Sequence, residues 1–326
     1  DGIACLDYLD VYRRFCLKLR ESYKLDAIGE VELGENKVDY GGMSLHQLAD
    51  EDWNTFIDYN IQDVNLLVRL EEKLQYIPLL RMLSYVGLTT LEGAMGTIQV
   101  INGALTIRAR KRGEIISTFL RNVDTGKNPG AYVAEPKSFD ANSLYPNVMI
   151  SLNTSPETKI GKIEKTTDDK VTIQHVSGKL FELTKPDFVK FVKTEECALS
   201  KAGFLFSQKK KGIIPEFLEY YYNQRVKIKK KLFKCKQDLK KDPSNIELKY
   251  EVERLNTSQM VIKILVNSCY GYMGNKNAPI GDDDIAASVT LTGQAVIKES
   301  NKLLKKYIRE NIDKDISDHE LEECII

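Results

Sequence analysis

The sequence lacks the cysteine and histidine patterns that hold many small domains together. Six cysteines are scattered along the 326 residues without a CxxC pair, and the three histidines do not cluster with them. These absences argue against a structural zinc site and against a disulfide framework, and they are typical of a reducing compartment. We therefore expect a cytoplasmic location.

Long apolar runs are also missing. No segment approaches the roughly 20 apolar residues that a membrane span requires, and no signal peptide is visible. We expect no membrane association. Apolar residues make up 42% and charged residues 29% of the chain, which is typical of a soluble globular protein. The length is sufficient for two or three domains with separate cores.

The chain has no net charge, but its charges are segregated. Between Lys209 and Lys241 there are twelve lysines or arginines and only three acids, whereas residues 308–326 contain seven acids and two basic residues. A basic block inside a neutral protein suggests a local site for a polyanion. The alternative is a solvated helix face, which charge alone favours.

Apolar periodicity and the placement of glycine and proline predict the secondary structure. The expected elements are a strand running into a helix (3–15), a helix and turn (23–34), a long helix broken near Pro78 (56–87), further helix (89–113), a Gly/Pro-rich linker (123–138) and a sheet (138–206). From Pro215 the pattern changes to two long helices joined by the turn "DPSN" at 242–245. This antiparallel hairpin is expected to protrude without a core of its own.

Polar residues on the two hairpin helices fall at helical spacing. On the first helix Arg225 and Lys229 are i and i+4, and on the second a stripe at i, i+4, i+7 and i+8 is formed by Lys263, Asn267, Tyr270 and Gly271. Cations, an amide, an aromatic ring and a bare glycine would suit a triphosphate with a flat base beside it. In the alternative, Tyr270 belongs to the core and the lysines are solvated. Spacing alone does not decide between them.

The stretch "SFDANSLYPNVMISLN" at 138–153 places one carboxylate, Asp140, ahead of an apolar turn that contains a tyrosine. A buried acid is costly unless a cation pairs with it. We therefore ask which cation Asp140 holds.

Five short segments resemble family B DNA polymerases, particularly the replicative enzymes of tailed phages. "DANSLYP" at 140–146 is similar to motif A and "KILVNSCYG" at 263–271 to motif B. The other three are "NQRVKIK" (223–229, fingers helix), "YNIQD" (59–63, third exonuclease motif) and "PGAYV" (129–133, the linker between the two activities). They occur in the family's order.

This resemblance implies an α+β multidomain fold. The expected parts are the C-terminal part of an RNase H-like exonuclease domain (1–75), a connecting helical segment (76–128), the first part of a mixed α/β palm (129–214), an antiparallel two-helix fingers hairpin (215–274) and a second palm part (275–326). The implied function is template-directed DNA polymerisation in replication, with an associated 3′–5′ proofreading exonuclease. If the protein is viral, its location would be the host cytoplasm.

The resemblance also assigns roles to individual residues. Asp140 and the backbone carbonyl of Ala141 are expected to bind Mg²⁺, as is Asp63, which pairs with Tyr59 in the exonuclease. The residues expected to bind nucleotide are Ser143 and Leu144 (backbone N–H groups), Tyr145 (a steric gate below the sugar), Arg225, Lys229 and Lys263 (triphosphate, as the fingers close), Asn267 (support), and Tyr270 and Gly271 (nascent base pair). Implied partners are primer–template DNA and deoxynucleoside triphosphates and, by analogy, a sliding clamp and a single-strand-binding protein.

Parts of the family pattern are absent. Motif C, with its second metal-binding carboxylate, and the thumb are not found, and the first two exonuclease motifs would precede residue 1. "GDDD" at 281–284 lacks the strand context of motif C and is expected at the surface, while Asp7 and Asp10 are expected to be structural. We therefore expect an internal piece of a polymerase that is inactive alone. The alternatives are one half of a naturally split polymerase and a non-catalytic nucleotide- or DNA-binding module.

Overall fold

The computed structural model of the chain describes residues 3–16, 18–116 and 143–311. Helices precede and follow a single five-stranded antiparallel sheet in this part of the chain. The expected α+β character is confirmed. None of the described helices is long and apolar enough to cross a lipid bilayer.

Seven helices occupy residues 8–111. They are α1 (Tyr8–Phe15), α2 (Leu25–Leu33), α3 (Leu45–Glu51), α4 (Trp53–Leu74), α5 (Tyr76–Gly87), α6 (Leu91–Ala94) and α7 (Thr97–Lys111). Asp7 caps α1 by accepting a hydrogen bond from the N–H of Leu9 at 2.8 Å. This contact agrees with the structural role expected of Asp7.

One prediction for this region is wrong: residues 3–7 form no strand, because no strand of the described sheet pairs with them. The break expected near Pro78 is confirmed, since the long helix is interrupted at Gln75, whose φ of 55° is left-handed. Pro78 lies in the first turn of α5, where a missing backbone N–H costs no intrahelical hydrogen bond.

The predicted sheet is confirmed, with helices inserted into it. After α8 (Leu144–Leu152) and a short 3₁₀ helix (Pro156–Thr158), the elements are β1 (Lys159–Thr166), β2 (Lys170–His175), β3 (Leu180–Thr184), α9 (Lys185–Thr194), β4 (Cys197–Leu199) and β5 (Phe204–Ser207). The strand order is β3-β2-β1-β5-β4, and every neighbouring pair is antiparallel. Buried Val171, Ile173 and Leu205 pack against apolar residues of α9, including Phe188.

The predicted helical hairpin is also confirmed. It consists of α10 (Ile213–Lys241) and α11 (Ile246–Met273), and a further helix, α12 (Asp283–Asn311), follows it. Asn245 begins α11 by accepting a hydrogen bond from the N–H of Leu248. The outer half of the hairpin has little buried surface apart from Leu232 and Leu255, as expected for a protruding element.

The base of the hairpin does not protrude. Phe217 of α10 and Leu265 and Cys269 of α11 are fully buried in a core that also includes Leu83 of α5 and Leu105 of α7. The hairpin base and the preceding helices therefore share one core. This core fixes α10 and α11 relative to α8 and α12.

A buried asparagine joins α8 to α10. Asn153, with a left-handed φ of 56°, ends α8. Its amide donates to the carbonyls of Ser207 (2.6 Å) and Lys210 (2.9 Å), and its side-chain oxygen accepts from the N–H of Gly212 (2.9 Å). Because the asparagine is buried and fully bonded, it fixes where α10 starts relative to the end of α8.

The prediction that 281–284 lies at the surface is wrong at Asp282. This side chain is only 7% exposed and accepts a 2.6 Å hydrogen bond from the ammonium of Lys159. It also accepts bonds from the N–H groups of Asp284 and Ile285 and so caps α12. The capping role and the ion pair with Lys159 explain why Asp282 is buried.

Candidate functional site

At the start of helix α8, the first backbone N–H groups have no partner among the described residues. Ser143 precedes the helix in a left-handed conformation (φ 55°), and its carbonyl accepts the N–H of Asn147 at 3.0 Å. The first N–H groups of a helix have no partner within the helix. No acceptor for the N–H of Ser143 or Leu144 is found within the described ranges. Asp140 and Ala141, like the linker at 129–133, lie outside the described residues.

Two predicted site residues from distant segments are in contact. The rings of Tyr145 and Tyr270 have centroids 4.6 Å apart at an interplanar angle of 41°. Burial, with a smaller contribution from Tyr270, raises the pKa of the Tyr145 hydroxyl above its ordinary value. Tyr145 is therefore a neutral phenol, held by packing.

The ring of Tyr270 is fixed from α12. Its hydroxyl donates a 2.7 Å hydrogen bond to Oγ1 of Thr290, which itself donates to the carbonyl of Ala286 at 2.9 Å. Tyr270 is half-buried and lies against the main core. It is therefore both a core residue and a candidate for a surface that faces a ligand.

Gly293 lies behind Tyr145. A Cβ atom at this position would be 3.0 Å from Cε1 and 3.3 Å from Cδ1 of the Tyr145 ring. Thr290 and Gly293 are i and i+3 on α12 and so share one face of the helix. Sequence reasoning missed both residues, because nothing in the local pattern of α12 indicates a contact with residue 145.

Three cations of the hairpin have no partner in the part of the chain that the structure describes. Arg225, Lys229 and Lys263 lie within 4.0 Å of no described carboxylate oxygen. The Nε atom of Arg225 is buried and has no hydrogen-bond partner there. A buried donor of this kind is costly unless a ligand satisfies it. The three side chains are therefore available to an anion.

The remaining predicted residues of the second stripe face open space. Asn267 and Gly271 are exposed, and a Cβ built on Gly271 would meet no atom within 4 Å. The structure thus brings together Tyr145 and Tyr270 directly, and it places Gly271 beside room for a flat ligand. The contacts of Arg225 and Lys263 with a ligand remain predictions.

The predicted exonuclease pair is linked by a lysine that sequence reasoning missed. The ammonium of Lys37 donates to Oδ2 of Asp63 at 2.7 Å and to the hydroxyl of Tyr59 at 2.9 Å. Burial of the ammonium lowers its pKa, but the bonds to Asp63 and Tyr59 outweigh that effect and raise the pKa of Lys37 overall. No signal in the sequence around residue 37 indicated this contact.

One observation bears on a metal ion at this second site. Oδ1 of Asp63 is buried and has no partner in the described ranges, so a carboxylate oxygen is free to act as a hard oxygen ligand of the kind Mg²⁺ prefers. Over residues 3–16, 18–116 and 143–311, no group of three or more acids, histidines or cysteines is arranged to hold a metal. Asp63 alone therefore fits a ligand role that needs further carboxylates.

Comparison with known proteins places these features in a family. The model of DNA polymerase family B matches residues 106–323. Since this range covers more than half of the sequence, the chain belongs to DNA polymerase family B, and the predicted resemblance is confirmed.

Individual relatives agree with this assignment. The chain is 26% identical to the DNA-directed DNA polymerase of Enterobacteria phage T4, over 94% of this chain and 38% of the relative. It is 25% identical to that of Escherichia phage RB69, over 95% and 38%. It is also 27% identical to the DNA polymerase delta catalytic subunit of Candida albicans, over 94% and 28%.

A solved structure shows the same fold. The family B DNA polymerase of the archaeon Pyrobaculum calidifontis superposes with a TM-score of 0.63 at 21% identity, covering 94% of this chain and 40% of that chain. The chain therefore spans about two fifths of the length of this polymerase and of the phage relatives.

Proposed function

We propose that the chain is part of a template-directed DNA polymerase that acts in DNA replication. The observation that carries this proposal is the Tyr145–Tyr270 contact at the base of a hairpin with three cations that have no ion-pair partner among the described residues. Family membership supports it, since the relatives named above are DNA polymerases. The division into exonuclease, palm and fingers follows the boundaries given from the sequence.

The triphosphate would be held mainly by the hairpin. Arg225 offers a planar fork to phosphate oxygens, while Lys229 and Lys263 offer point charges. The N–H groups of Ser143 and Leu144 would face the same anion at the start of α8. Asn267 would support the lysines. The bare backbone at Gly271 would lie beside the base pair that forms.

The transfer step forms and breaks one bond to phosphorus. The primer 3′-hydroxyl oxygen bonds to the α-phosphorus and gives its proton to solvent, while the bond from that phosphorus to the bridging oxygen breaks. Pyrophosphate leaves, and the cations of α10 and α11 offset its charge.

The residues that would hold Mg²⁺ at the polymerase site are Asp140 and the backbone carbonyl of Ala141. Bound there, two ions would activate the 3′-hydroxyl and neutralise charge on the reacting phosphate. One carboxylate does not hold both ions, so we propose that this chain does not extend primers without a second carboxylate from elsewhere. By analogy, a sliding clamp and a single-strand-binding protein would act with the complete enzyme.

The exonuclease site would use Tyr59 and Asp63, with Asp63 as a metal ligand. In the described structure Lys37 neutralises Asp63. Binding of a cation at the free Oδ1 would compete with that ammonium for the charge of the carboxylate. The complete protein would supply the other carboxylates of a 3′–5′ proofreading site.

The experiment that tests the proposed function is primer extension by the full-length protein with each nucleotide in turn. We expect incorporation only of the nucleotide complementary to the template. Binding of nucleotide without extension would instead indicate a non-catalytic module.

Replacement of Tyr145 by alanine should relax the choice of sugar. The ring is backed by α12 at Gly293 and by Tyr270, so it has no space to retreat from a 2′-hydroxyl. In the full-length protein we expect the preference for deoxyribonucleotides in kcat/KM to fall by roughly 10- to 200-fold, the worth of one steric contact. Tyr145→Phe keeps the ring and should keep the preference. Equal sugar selectivity in Tyr145→Ala and the native protein would contradict the proposal that Tyr145 excludes the 2′-hydroxyl.

Replacement of Gly271 by alanine should stabilise the protein but weaken its binding of nucleotide. Because the added Cβ meets no atom within 4 Å and alanine favours helix over glycine, unfolding in urea should require up to about 1 kcal/mol more free energy. The same methyl group would project into the space assigned to the base pair, so KM for nucleotide should rise. An unchanged KM would show that no ligand approaches residue 271.

A further inference from the structure

The outer half of α10 carries positive charge that its neighbours do not neutralise. The three acids of the basic block are already engaged by other cations: Glu216 with Arg108 and Arg112, Glu219 with Lys211, and Asp238 with Lys241. Lys209 and Lys210 at the start of the block are likewise paired, with Glu195 and Glu114. The acids of the block therefore leave the charge farther along the helix uncompensated.

Between Arg225 and Lys240, no basic side chain has an ion-pair partner within 4.0 Å in the described part of the chain. The set comprises Arg225, Lys227, Lys229, Lys230, Lys231, Lys234, Lys236 and Lys240. Lys231 acts on an acid of α11, since Arg254 and, to a smaller extent, Lys231 lower the pKa of Glu251. So dense a charge on one helix repels itself unless an anion binds to it.

Part of this charge is ordered along one face. Arg225, Lys229, Phe233, Lys236 and Lys240 follow one another at steps of four, four, three and four residues, which keeps them on one side of an α-helix. At a rise of 1.5 Å per residue, the face extends over about 22 Å. Its inner end contains the two residues proposed to bind the triphosphate.

An aromatic ring interrupts the cations. Phe233 is 65% exposed, although burial of a phenylalanine side chain would contribute about 1.5–3 kcal/mol of stability. A ring flanked by Lys229 and Lys236 matches the arrangement in which an unpaired base stacks on an aromatic side chain while cations contact the adjacent phosphates. In duplex DNA the bases are stacked on each other and are not available to such a ring.

We propose that Phe233, Lys236 and Lys240, here called the distal stripe, bind single-stranded DNA. The ring would stack on a base, and the two ammonium groups would contact neighbouring phosphates. This inference rests on the proposed function, because the position of the nucleotide site at the inner end of the stripe decides which DNA strand lies along it. It assigns the outer half of the hairpin to the unpaired template strand ahead of that site.

The test is the affinity of the 326-residue chain for a fluorescently labelled 12-nucleotide oligo-dT, measured by anisotropy over a range of salt concentrations. Phe233→Ala should weaken binding by roughly 5- to 150-fold, the loss of one base–aromatic stack. Lys236→Gln combined with Lys240→Gln should reduce the slope of log K against log salt by about 1.4, or about 0.7 for each lost phosphate contact. Phe233→Trp should retain the affinity.

A matched control removes the same charge from another side of α10. Lys227 and Lys234 are seven residues apart, have no ion-pair partner among the described residues, and lie on a different face from the distal stripe. Lys227→Gln with Lys234→Gln should change the affinity by less than about twofold. Equal losses for the two lysine pairs, with circular dichroism showing intact helix in both, would indicate a diffuse field and overturn the proposal. A native affinity in Phe233→Ala would overturn it as well.

Two further measurements identify the occupant and separate this proposal from the polymerase assignment. Poly-glutamate that competes as well as oligo-dT would indicate an acidic protein surface and contradict the proposal. Lys263→Ala should leave oligo-dT binding unchanged while it weakens nucleotide binding by the full-length protein. If nucleotide binding behaves as expected and the stripe variants bind oligo-dT normally, only the stripe proposal fails. The opposite pattern refutes the nucleotide site and leaves the stripe.

Discussion

In the full-length protein, Asp140→Asn is expected to abolish nucleotide incorporation while primer–template binding survives. The asparagine keeps the size of the side chain but removes the charge that would hold magnesium. Loss of a group that offsets transition-state charge in phosphoryl transfer costs on the order of 10³-fold or more. Single-turnover primer extension measures the rate, and anisotropy of labelled primer–template measures the affinity.

A control separates this loss from a general effect of charge. Asp168 is an exposed aspartate in the turn between β1 and β2, and Asp168→Asn should extend primers at the native rate. A native rate in Asp140→Asn would end the assignment of Asp140 as a metal ligand. If neither the native protein nor any variant extends primers although all bind nucleotide, the alternative of a non-catalytic module gains support.

The second large effect concerns the hairpin cations. Lys263→Ala and Arg225→Ala should each raise the apparent KM for nucleotide by roughly 10- to 150-fold, since a hydrogen bond to a charged group is worth about 1.5–3 kcal/mol. The buried, unpartnered Nε of Arg225 is the structural reason to expect a ligand there. Steady-state incorporation at saturating primer–template gives the KM directly.

Lys227 provides the matched control for α10. It is exposed, is unpaired within the described ranges and lies two residues from Arg225 on another side of the helix. Lys227→Ala should keep KM for nucleotide within about twofold of the native value, because an isolated surface charge has only a weak effect. If Lys263→Ala and Arg225→Ala change only the affinity for primer–template, the two cations do not bind the triphosphate.

Local patterns in the sequence were sufficient for much of the fold. Helical periodicity and the "DPSN" turn predicted α10 and α11, and runs of β-branched and aromatic residues separated by turns predicted the sheet that includes β1 and β2. These features depend on neighbours along the chain. The short motifs around Tyr145 and Tyr270 likewise carried enough specificity to indicate the family, and the family comparison confirmed it.

The errors arose where a distant contact decides the role of a residue. Asp282 was expected at the surface as part of an acidic run, but Lys159 and the start of α12 bury it. The contact of Gly293 with Tyr145 joins segments almost 150 residues apart. The ion pair between Lys37 and Asp63 joins the loop after α2 to helix α4. No periodicity encodes such contacts, so a single sequence does not reveal them.

The same limit applies to the hairpin. Its two helices were predictable, but the extent of its burial was not, because the apolar residues of α5 and α7 that cover its base come from an earlier part of the chain. The consequence is functional. The base holds Tyr270 and Gly271 firmly, while the outer half remains exposed with the charges of the distal stripe.

The most direct test of the central claim is a structure of the full-length protein with primer–template DNA and an incoming nucleotide that does not react. We predict triphosphate oxygens within hydrogen-bond distance of Arg225 and Lys263, the sugar above the Tyr145 ring, and a divalent ion bound to Asp140. A triphosphate bound away from the base of the hairpin, with Asp140 turned from it, would contradict the account.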